Sequence, residues 1–387
     1  MSAERAAPNP LRERDARRFL RDYWQRKPLL VRGALPGIES LLSADELAGL
    51  ALEPEVESRI VLARGGRVPW ELRNGPFSEK DFAGLPDSHW SLLVQAVDQW
   101  VPQVHALRER FAFLPAWRFD DIMISYASDQ GSVGPHFDHY DVFLFQASGR
   151  RRWRIGGVCD QHTPCLSDAK LRILRHFETH EEYLLEPGDM LYIPTGVAHW
   201  GVAEGECMTW SVGFRAPSHA EIISEVATVA AARSADELRY TDAGMEPVPD
   251  GEIPEQAVRQ LQRVLRGVAD DADLVREWFG RFMTERKYPE SDAQARRVRG
   301  ELRAWLRADG CLQRNPAARF AWTAAPRCTL YVDGDCWPCE ERLARLLCGP
   351  MVLDAASLLP LLRGKPARTL LDALTARGAL YRQRRRD

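Results

Sequence analysis

The chain has 387 residues, 45% of them hydrophobic and 28% charged, with a formal net charge of −3. That length suits two or three domains with well-buried cores, and the near-neutral balance argues against a chain built around wholesale contact with nucleic acid or an anionic membrane. No apolar run approaches the roughly 20 residues of a spanning helix, and Met1-Ser2-Ala3-Glu4-Arg5 lacks the apolar core of a secretory signal, so a cytoplasmic location is expected.

In chain order, Phe19, Tyr23 and Trp24 punctuate a basic amphipathic helix that exits at Lys27-Pro28 into a strand over Leu29–Gly33. Ser43-Ala44-Asp45-Glu46, ahead of Leu47 and Leu50, is a capping-box signature for a second helix. From about Trp117 to Phe214 short β-rich runs alternate with turn residues. They are Ile122–Tyr126, Val142–Phe145, Arg152–Ile155, Met190–Ile193 and Met208–Val212. Several short strands with Gly/Pro turns suggest a sandwich or barrel, and a double-stranded β-helix (jelly roll) accommodates them.

After Pro217 the pattern becomes helical. Ile222, Ile223, Val226 and Val229 lie on one helix face, and Val258, Leu261, Leu265 and Val268 on another, with a Gly/Pro/Asp-rich loop over residues 241–254. Two amphipathic helices need a surface to cover them, either the barrel itself or a second copy of the chain. The last segment offers a hairpin turning at Asp333-Gly334 and short helices around Leu358 and Leu371, the order of a small winged-helix-like unit. The expected class is therefore α+β, with a catalytic jelly roll over residues 1–217, a helical dimerisation domain over 218–309 and a winged-helix-like domain over 310–387.

Residues 311–387 carry 13 Lys/Arg against 7 Asp/Glu. Arg382, Arg384, Arg385 and Arg386 form a basic tail that could touch RNA phosphates; solvated terminal charge is the plainer reading. Eight cysteines are too scattered for a disulfide framework. Cys336-Trp337-Pro338-Cys339 has the spacing of a redox or zinc motif, which Cys328 and Cys348 could complete. It lacks the βαβ setting of a redox motif and reads as a hairpin arm with reduced thiols.

The chemistry concentrates in Gly134-Pro135-His136-Phe137-Asp138, answered by His199 at the end of Tyr192-Ile193-Pro194-Thr195-Gly196-Val197-Ala198-His199. On a strand, His136 and Asp138 share a face, while Phe137 and the rival ligand His139 share the other. Two imidazoles and one carboxylate leave one side of an octahedral ion open, the arrangement of a non-haem Fe(II) centre that binds O2 and a co-substrate. The electrons such a centre needs can come from 2-oxoglutarate, whose distal carboxylate calls for a cation in an apolar pocket. In Gly149-Arg150-Arg151-Arg152-Trp153-Arg154-Ile155, alternation puts Arg151 on the face of Trp153 and Ile155, and the other three arginines outside. Arg151 is the expected anchor. The small hydroxyl face of Thr209 and Ser211, with Ser125 on an earlier strand, completes the co-substrate pocket.

These segments resemble the JmjC branch of the cupin superfamily, and more closely the bacterial ribosomal oxygenases that hydroxylate an arginine of a large-subunit ribosomal protein. The resemblance spans most of the chain. Besides the segments already quoted, it rests on Tyr23–Gly33, Trp90–Val97, Asp120–Ser125, His139–Phe143 and Ser211–Pro217. It implies iron held by His136, Asp138 and His199, 2-oxoglutarate held by Arg151 and Ser125, and the three-domain order read above. It gives Ser125 most of its weight. The C-terminal third matches least well, and Cys336/Cys339 are foreign to the pattern.

A cationic arginine substrate needs acidic and aromatic partners. By position these are Tyr126, Asp129 and Tyr140, with Asp141 ranked lower because it falls on the opposite strand face from the ligands. The competing readings are an N-methyl-lysine demethylase, which uses the same iron chemistry, and a non-catalytic cupin that binds ribosome or RNA.

Overall fold

The computed structural model describes residues 11, 16–64, 66, 68–166, 170–288, 301–308 and 310–384. The chain divides into two compact units, residues 1–216 and 217–387.

In the first unit, helix α1 (Ala16–Asp22) leads into β1 (Leu29–Val31), then α2 (Ala44–Leu50), β2 (Ser58–Leu62), β3 (Glu71–Asn74), α3 (Glu79–Ala83), β4 (Trp90–Val94) and α4 (Pro102–His105). The barrel strands follow: β5 (Phe119–Ala127), β6 (Asp141–Val158), β7 (Glu181–Leu185), β8 (Met190–Ile193) and β9 (Val197–Phe214). The capping box at Ser43 forms as expected, with Ser43 Oγ accepting from Glu46 N–H and the Glu46 carboxylate accepting from Ser43 N–H.

The strand order is β1-β8-β6-β9-β5-β4-β2-β3, with β7 on the free side of β6. Two of the sequence runs, Val142–Phe145 and Arg152–Ile155, are one 18-residue strand rather than two, and Met208–Val212 is the second half of an equally long β9. The first half of β6 pairs with β8 and the end of β9, and its second half pairs with β7 and the start of β9. The register shifts between Gln146 and Ser148 and again between Ser148 and Arg150. There the strand bends, as a bulge makes it do. Gly149 makes the bend with φ +61°, and a Cβ would lie 2.0 Å from the Glu206 carbonyl oxygen.

Strands β2, β3 and β4 extend the sheet beyond β5 and were not read from the sequence, because their burial patterns do not alternate cleanly. The outer face of that sheet is covered by the N-terminal segment. Phe19 and Trp24 pack on Tyr192 at 5.1 and 5.6 Å between ring centroids, and Phe143 joins them at 4.8 Å. Below this aromatic layer, Asp141 is fully buried and accepts hydrogen bonds from Tyr192 Oη, Arg118 and Gln25. A second, smaller cluster holds Val142, Leu144, Trp153, Ile155, Leu185, Leu191, Ile193 and Val197. Trp153 of this cluster lies 5.9 Å from the His199 ring, which joins it to the candidate site.

The second unit contains α5 (His219–Arg233), α6 (Glu255–Asp270), α7 (Ala272–Thr284) and α8 (Leu302–Arg307). It continues with β10 (Gly310–Arg314), β11 (Phe320–Thr323), β12 (Thr329–Val332), β13 (Asp335–Pro338), α9 (Glu341–Cys348), β14 (Val352–Leu353), α10 (Ala355–Leu358), α11 (Lys365–Ala376) and β15 (Leu380–Arg384). The hairpin β12–β13 turns at Asp333 and Gly334, both at positive φ, as a two-residue hairpin loop requires. Helix α7 packs against this hairpin and β11, while Leu302, Leu312, Leu330, Leu343, Leu371 and Leu380 build a separate core.

The tail is not wholly a solvated run. Arg382 has a side chain only 7% exposed within β15, and Arg384 lies over the Trp305 ring; Arg385 and Arg386 fall outside the described residues. Cys336 meets the Arg281 guanidinium, whereas Cys339 packs on the core cluster with Cys328 and Cys348, so the two sulfurs of the Cys-x-x-Cys run face different surroundings.

Candidate metal centre

His136 lies not within a regular strand, as its spacing suggested, but in an isolated bridge. Its N–H donates to His199 O at 3.0 Å and its carbonyl accepts from His199 N–H at 2.8 Å. Residues facing each other in such a pair project their side chains to one side, and their rings lie 4.3 Å apart between centroids. Asp138, two residues on in extended backbone, shares that face. Its carbonyl accepts the Gly196 N–H at 2.8 Å, which ties the segment to the Pro194–Gly196 turn.

Both imidazoles donate Nδ1–H to a backbone carbonyl, His136 to Gly134 and His199 to Val197, each at 2.9 Å. That fixes the tautomer and leaves both Nε2 lone pairs free. They converge on Asp138 Oδ2 at 3.9 and 3.6 Å. Among the described residues, these three form the group of His, Cys, Asp or Glu side chains compact enough to ligate one ion. Burial, and then the neighbouring His136, push the His199 pKa down to about 4, against a weaker pull from Asp138. The ring is therefore neutral at physiological pH, as a ligand must be. His139 is directed elsewhere, toward Arg172 at 3.0 Å and the Phe137 ring.

Arg151 is 3% exposed and shares its face of β6 with Trp153 and Ile155, while Arg152 and Arg154 pair with Glu182 and Glu204 outside. Register places Ile155 opposite His199 and Arg151 opposite Ala203, so the guanidinium starts about 13 Å along the strand from the cluster. Trp153 fills the interval, 5.9 Å from the His199 ring and 5.1 Å from the guanidinium. Nη2 makes a long 3.4 Å contact with Gly201 O, while Nε, Nη1 and the Trp153 indole nitrogen have no hydrogen-bond partner. A buried charge with free donors is costly unless a ligand completes it. The donor set fits a carboxylate, and burial lowers the guanidinium's pKa without discharging it.

Ser125 and Thr209 are directly paired across β5 and β9 and are 6% and 1% exposed. Ser125 Oγ contacts Thr209 O at 3.4 Å, and Thr209 Oγ1 donates to Gln146 Oε1 at 3.2 Å. Gln146, fully buried on the adjacent strand, was missed in the sequence. Its signal was a lone amide on the same parity as Val142 and Leu144 in an otherwise apolar run.

The three residues expected to meet substrate are not brought together. Tyr126 is on the opposite face of β5 from Ser125 and packs on Trp90 at 5.4 Å. The Asp129 carboxylate accepts the Gly205 N–H at 2.8 Å. Tyr140 alone stands beside the cluster. It is 40% exposed, and local desolvation, with the carboxylates of Asp138, Asp121 and Asp120, raises its pKa above the ordinary value.

This chain is similar to known proteins. Residues 106–222 match the JmjC domain family, and residues 267–381 match the ROXA-like winged helix. The ribosomal protein uL16 3-hydroxylase of Escherichia coli is 38% identical over 271 residues, covering 70% of this chain and 71% of that protein. The chain belongs to the ribosomal oxygenase family. A probable ribosomal oxygenase of Haemophilus influenzae is 44% identical over 209 residues, 54% of this chain and 51% of its own length. The X-ray structure of E. coli ycfD superposes on this ribosomal oxygenase with a TM-score of 0.87 at 32% identity, covering 96% of this chain and 99% of that one. A second structure of that ribosomal oxygenase, in complex with cobalt and 2-oxoglutarate, superposes with a TM-score of 0.84 at the same identity and coverage. The jelly-roll class and the winged helix expected from the sequence are thereby established for this family member. No described helix is long and apolar enough to cross a membrane.

Proposed function

We propose that this chain is an Fe(II)- and 2-oxoglutarate-dependent oxygenase that hydroxylates an arginine side chain, at C3, of a large-subunit ribosomal protein. One observation carries the reading: a two-imidazole, one-carboxylate cluster shares a barrel with a buried guanidinium whose Nε and Nη1 lack partners. The E. coli relative named as a uL16 3-hydroxylase supports the substrate class.

His136 and His199 would hold the iron through Nε2, and Asp138 through a carboxylate oxygen. When bound, the iron couples decarboxylation of 2-oxoglutarate to succinate and CO2 with oxidation of a substrate C–H bond by O2. The chain's own residues bind, orient and shield. The Nδ1–H bonds to Gly134 and Val197 hold both ligand rings in one orientation. Arg151 offers its free N–H groups to the distal carboxylate, where the apolar wall of Leu144, Trp153 and Ile155 strengthens the charge pair by excluding water. Ser125 and Thr209, with Gln146 behind them, supply the remaining polar contacts. Tyr140, exposed beside Asp138, is the candidate for the substrate guanidinium, and Tyr126 and Asp129 serve the scaffold instead. The proposed place of action is the cytoplasm, the compartment of a ribosomal-protein substrate.

A second copy of the chain belongs to the same proposal. Val258, Leu261, Val264 and Leu265 on α6 are 37%, 53%, 67% and 70% exposed, an apolar face that a homodimer would cover.

The test is aerobic incubation of the full chain with Fe(II), 2-oxoglutarate and a uL16-type ribosomal protein. Succinate release and one added oxygen on an arginine are expected. Loss of a methylene from a methylated lysine would instead indicate a demethylase, and substrate-independent behaviour throughout would remove the enzymatic reading.

A further inference from the structure

Ser132 precedes the ligand His136 by four residues and belongs to none of the groups described above. It is 3% exposed, and its hydroxyl is saturated. Oγ donates to Gly201 O at 2.7 Å and accepts from Gly134 N–H at 3.1 Å and from the Trp200 indole N–H at 3.0 Å. One donor and two acceptor sites are all a serine hydroxyl has.

The backbone explains why those partners need a hydroxyl. Gly131 and His136 are both paired to β9, Gly131 O accepting from Ala203 N–H and His136 exchanging two bonds with His199. Between those anchors the first chain advances five residues, 131 to 136, and β9 advances four, 199 to 203. The extra residue forms a bulge, the device that re-aims a side chain beside a functional site. Within it Ser132 Oγ bridges the Gly134 N–H and Gly201 O. Gly134 has φ +83° and lies against Ile173, so the bulge cannot shift toward that side without displacing packed hydrocarbon. The Gly134 carbonyl is the acceptor that orients His136 through Nδ1–H at 2.9 Å. A hydrogen-bonded path of one residue therefore runs from the serine hydroxyl to the imidazole.

We propose that Ser132 is a positioning residue for the metal centre: by closing the bulge between Gly134 and Gly201 it holds the His136 ring with Nε2 directed at the ion. Trp200, adjacent in sequence to His199, steadies the same hydroxyl. This inference rests on the metal-centre reading above. Ser132 shares the Gly201 carbonyl with Arg151 Nη2, but metal affinity measured without keto acid reads the ligand that the serine orients. Partners of this kind typically change metal affinity by about 10–100-fold.

The experiment uses the full chain and Co(II) alone, without keto acid, reading affinity by calorimetry and ligand geometry by the visible d–d spectrum. Ser132→Ala, checked for a cooperative melt, should bind Co(II) at least about 10-fold more weakly with an altered spectrum. Wild-type affinity and spectrum in that variant overturn the proposal, whatever its melting temperature. If Ser132→Ala does not fold, Trp200→Phe decides, since it removes one bond to the hydroxyl from a half-buried position. A loss of about fivefold is then expected from one neutral hydrogen bond, and unchanged affinity overturns the proposal. Failure of the wild-type chain to bind Co(II) would instead strike the metal-centre reading itself.

Discussion

A carboxylate buried where no metal is expected shows how much single side chains carry here. The register of β5 against β9 slips between Phe119 and Ile122, leaving the Ile122 N–H without a strand partner, and Asp98 accepts it at 2.8 Å. Burial, opposed by Arg108 and reinforced by Asp121, raises the Asp98 pKa from 3.8 to about 7. Between those values the unfolded chain releases a proton that the folded chain keeps, so stability is lost as pH rises through that window. At about 1.4 kcal/mol per unit, the ceiling is roughly 4 kcal/mol. Asp98→Asn retains an acceptor for Ile122 and removes the penalty. Denaturant melts should show it more stable than wild type at pH 8 and level with it near pH 4. Arg151 makes the complementary prediction for function. Arg151→Met should raise KM for 2-oxoglutarate by about 10–100-fold, the worth of a charge-assisted pair, while leaving Co(II) affinity unchanged. An unaltered KM would refute its anchoring role.

At the scale of elements, alternation is what made the site legible. Arg151, Trp153 and Ile155 share an interior face because strand parity leaves no other choice. Legibility ended where regularity did. The bend at Gly149 joins two runs that read as separate strands, since a bulge erases periodicity at the point where the register of β6 shifts. Strand β9 depends on small residues in the same way. A Cβ at Gly201 would lie 2.7 Å from Arg151 Nε and 2.8 Å from the Trp153 ring. Gly201→Ala should therefore lower stability by about 1–3 kcal/mol through overpacking and weaken 2-oxoglutarate binding, readable as paired shifts in melting temperature and KM. A variant with the wild-type melting temperature and KM would mean that the strand yields more easily than its packing suggests.

At the scale of the whole molecule, the two units place different demands on their surfaces. The first unit buries its apolar strands and helices in its own clusters. Helix α6 of the second unit buries no residue and exposes a stripe of Val and Leu. Leu261→Glu combined with Leu265→Glu should convert a dimer to a monomer in sedimentation experiments. Because both positions are exposed, unit stability should change by less than about 0.5 kcal/mol. A monomeric wild-type chain would remove dimerisation from the proposal.

By itself the sequence determined the pairing of a His-x-Asp run with a distant His, the face of β6 that carries Arg151, the α+β class and the amphipathic character of α6, because each is written in local spacing. Substrate contacts were not local in this sense. Tyr126, Asp129 and Tyr140 are neighbours along the chain, yet β5 turns Tyr126 away and a loop bond engages Asp129. Only the tertiary structure decided that His136 would face His199 across a bridge, that Gln146 would stand behind Thr209, and that a serine would close the bulge beside the ligands. Those facts depend on which distant strands pair and in what register, and register is set by packing the whole sheet.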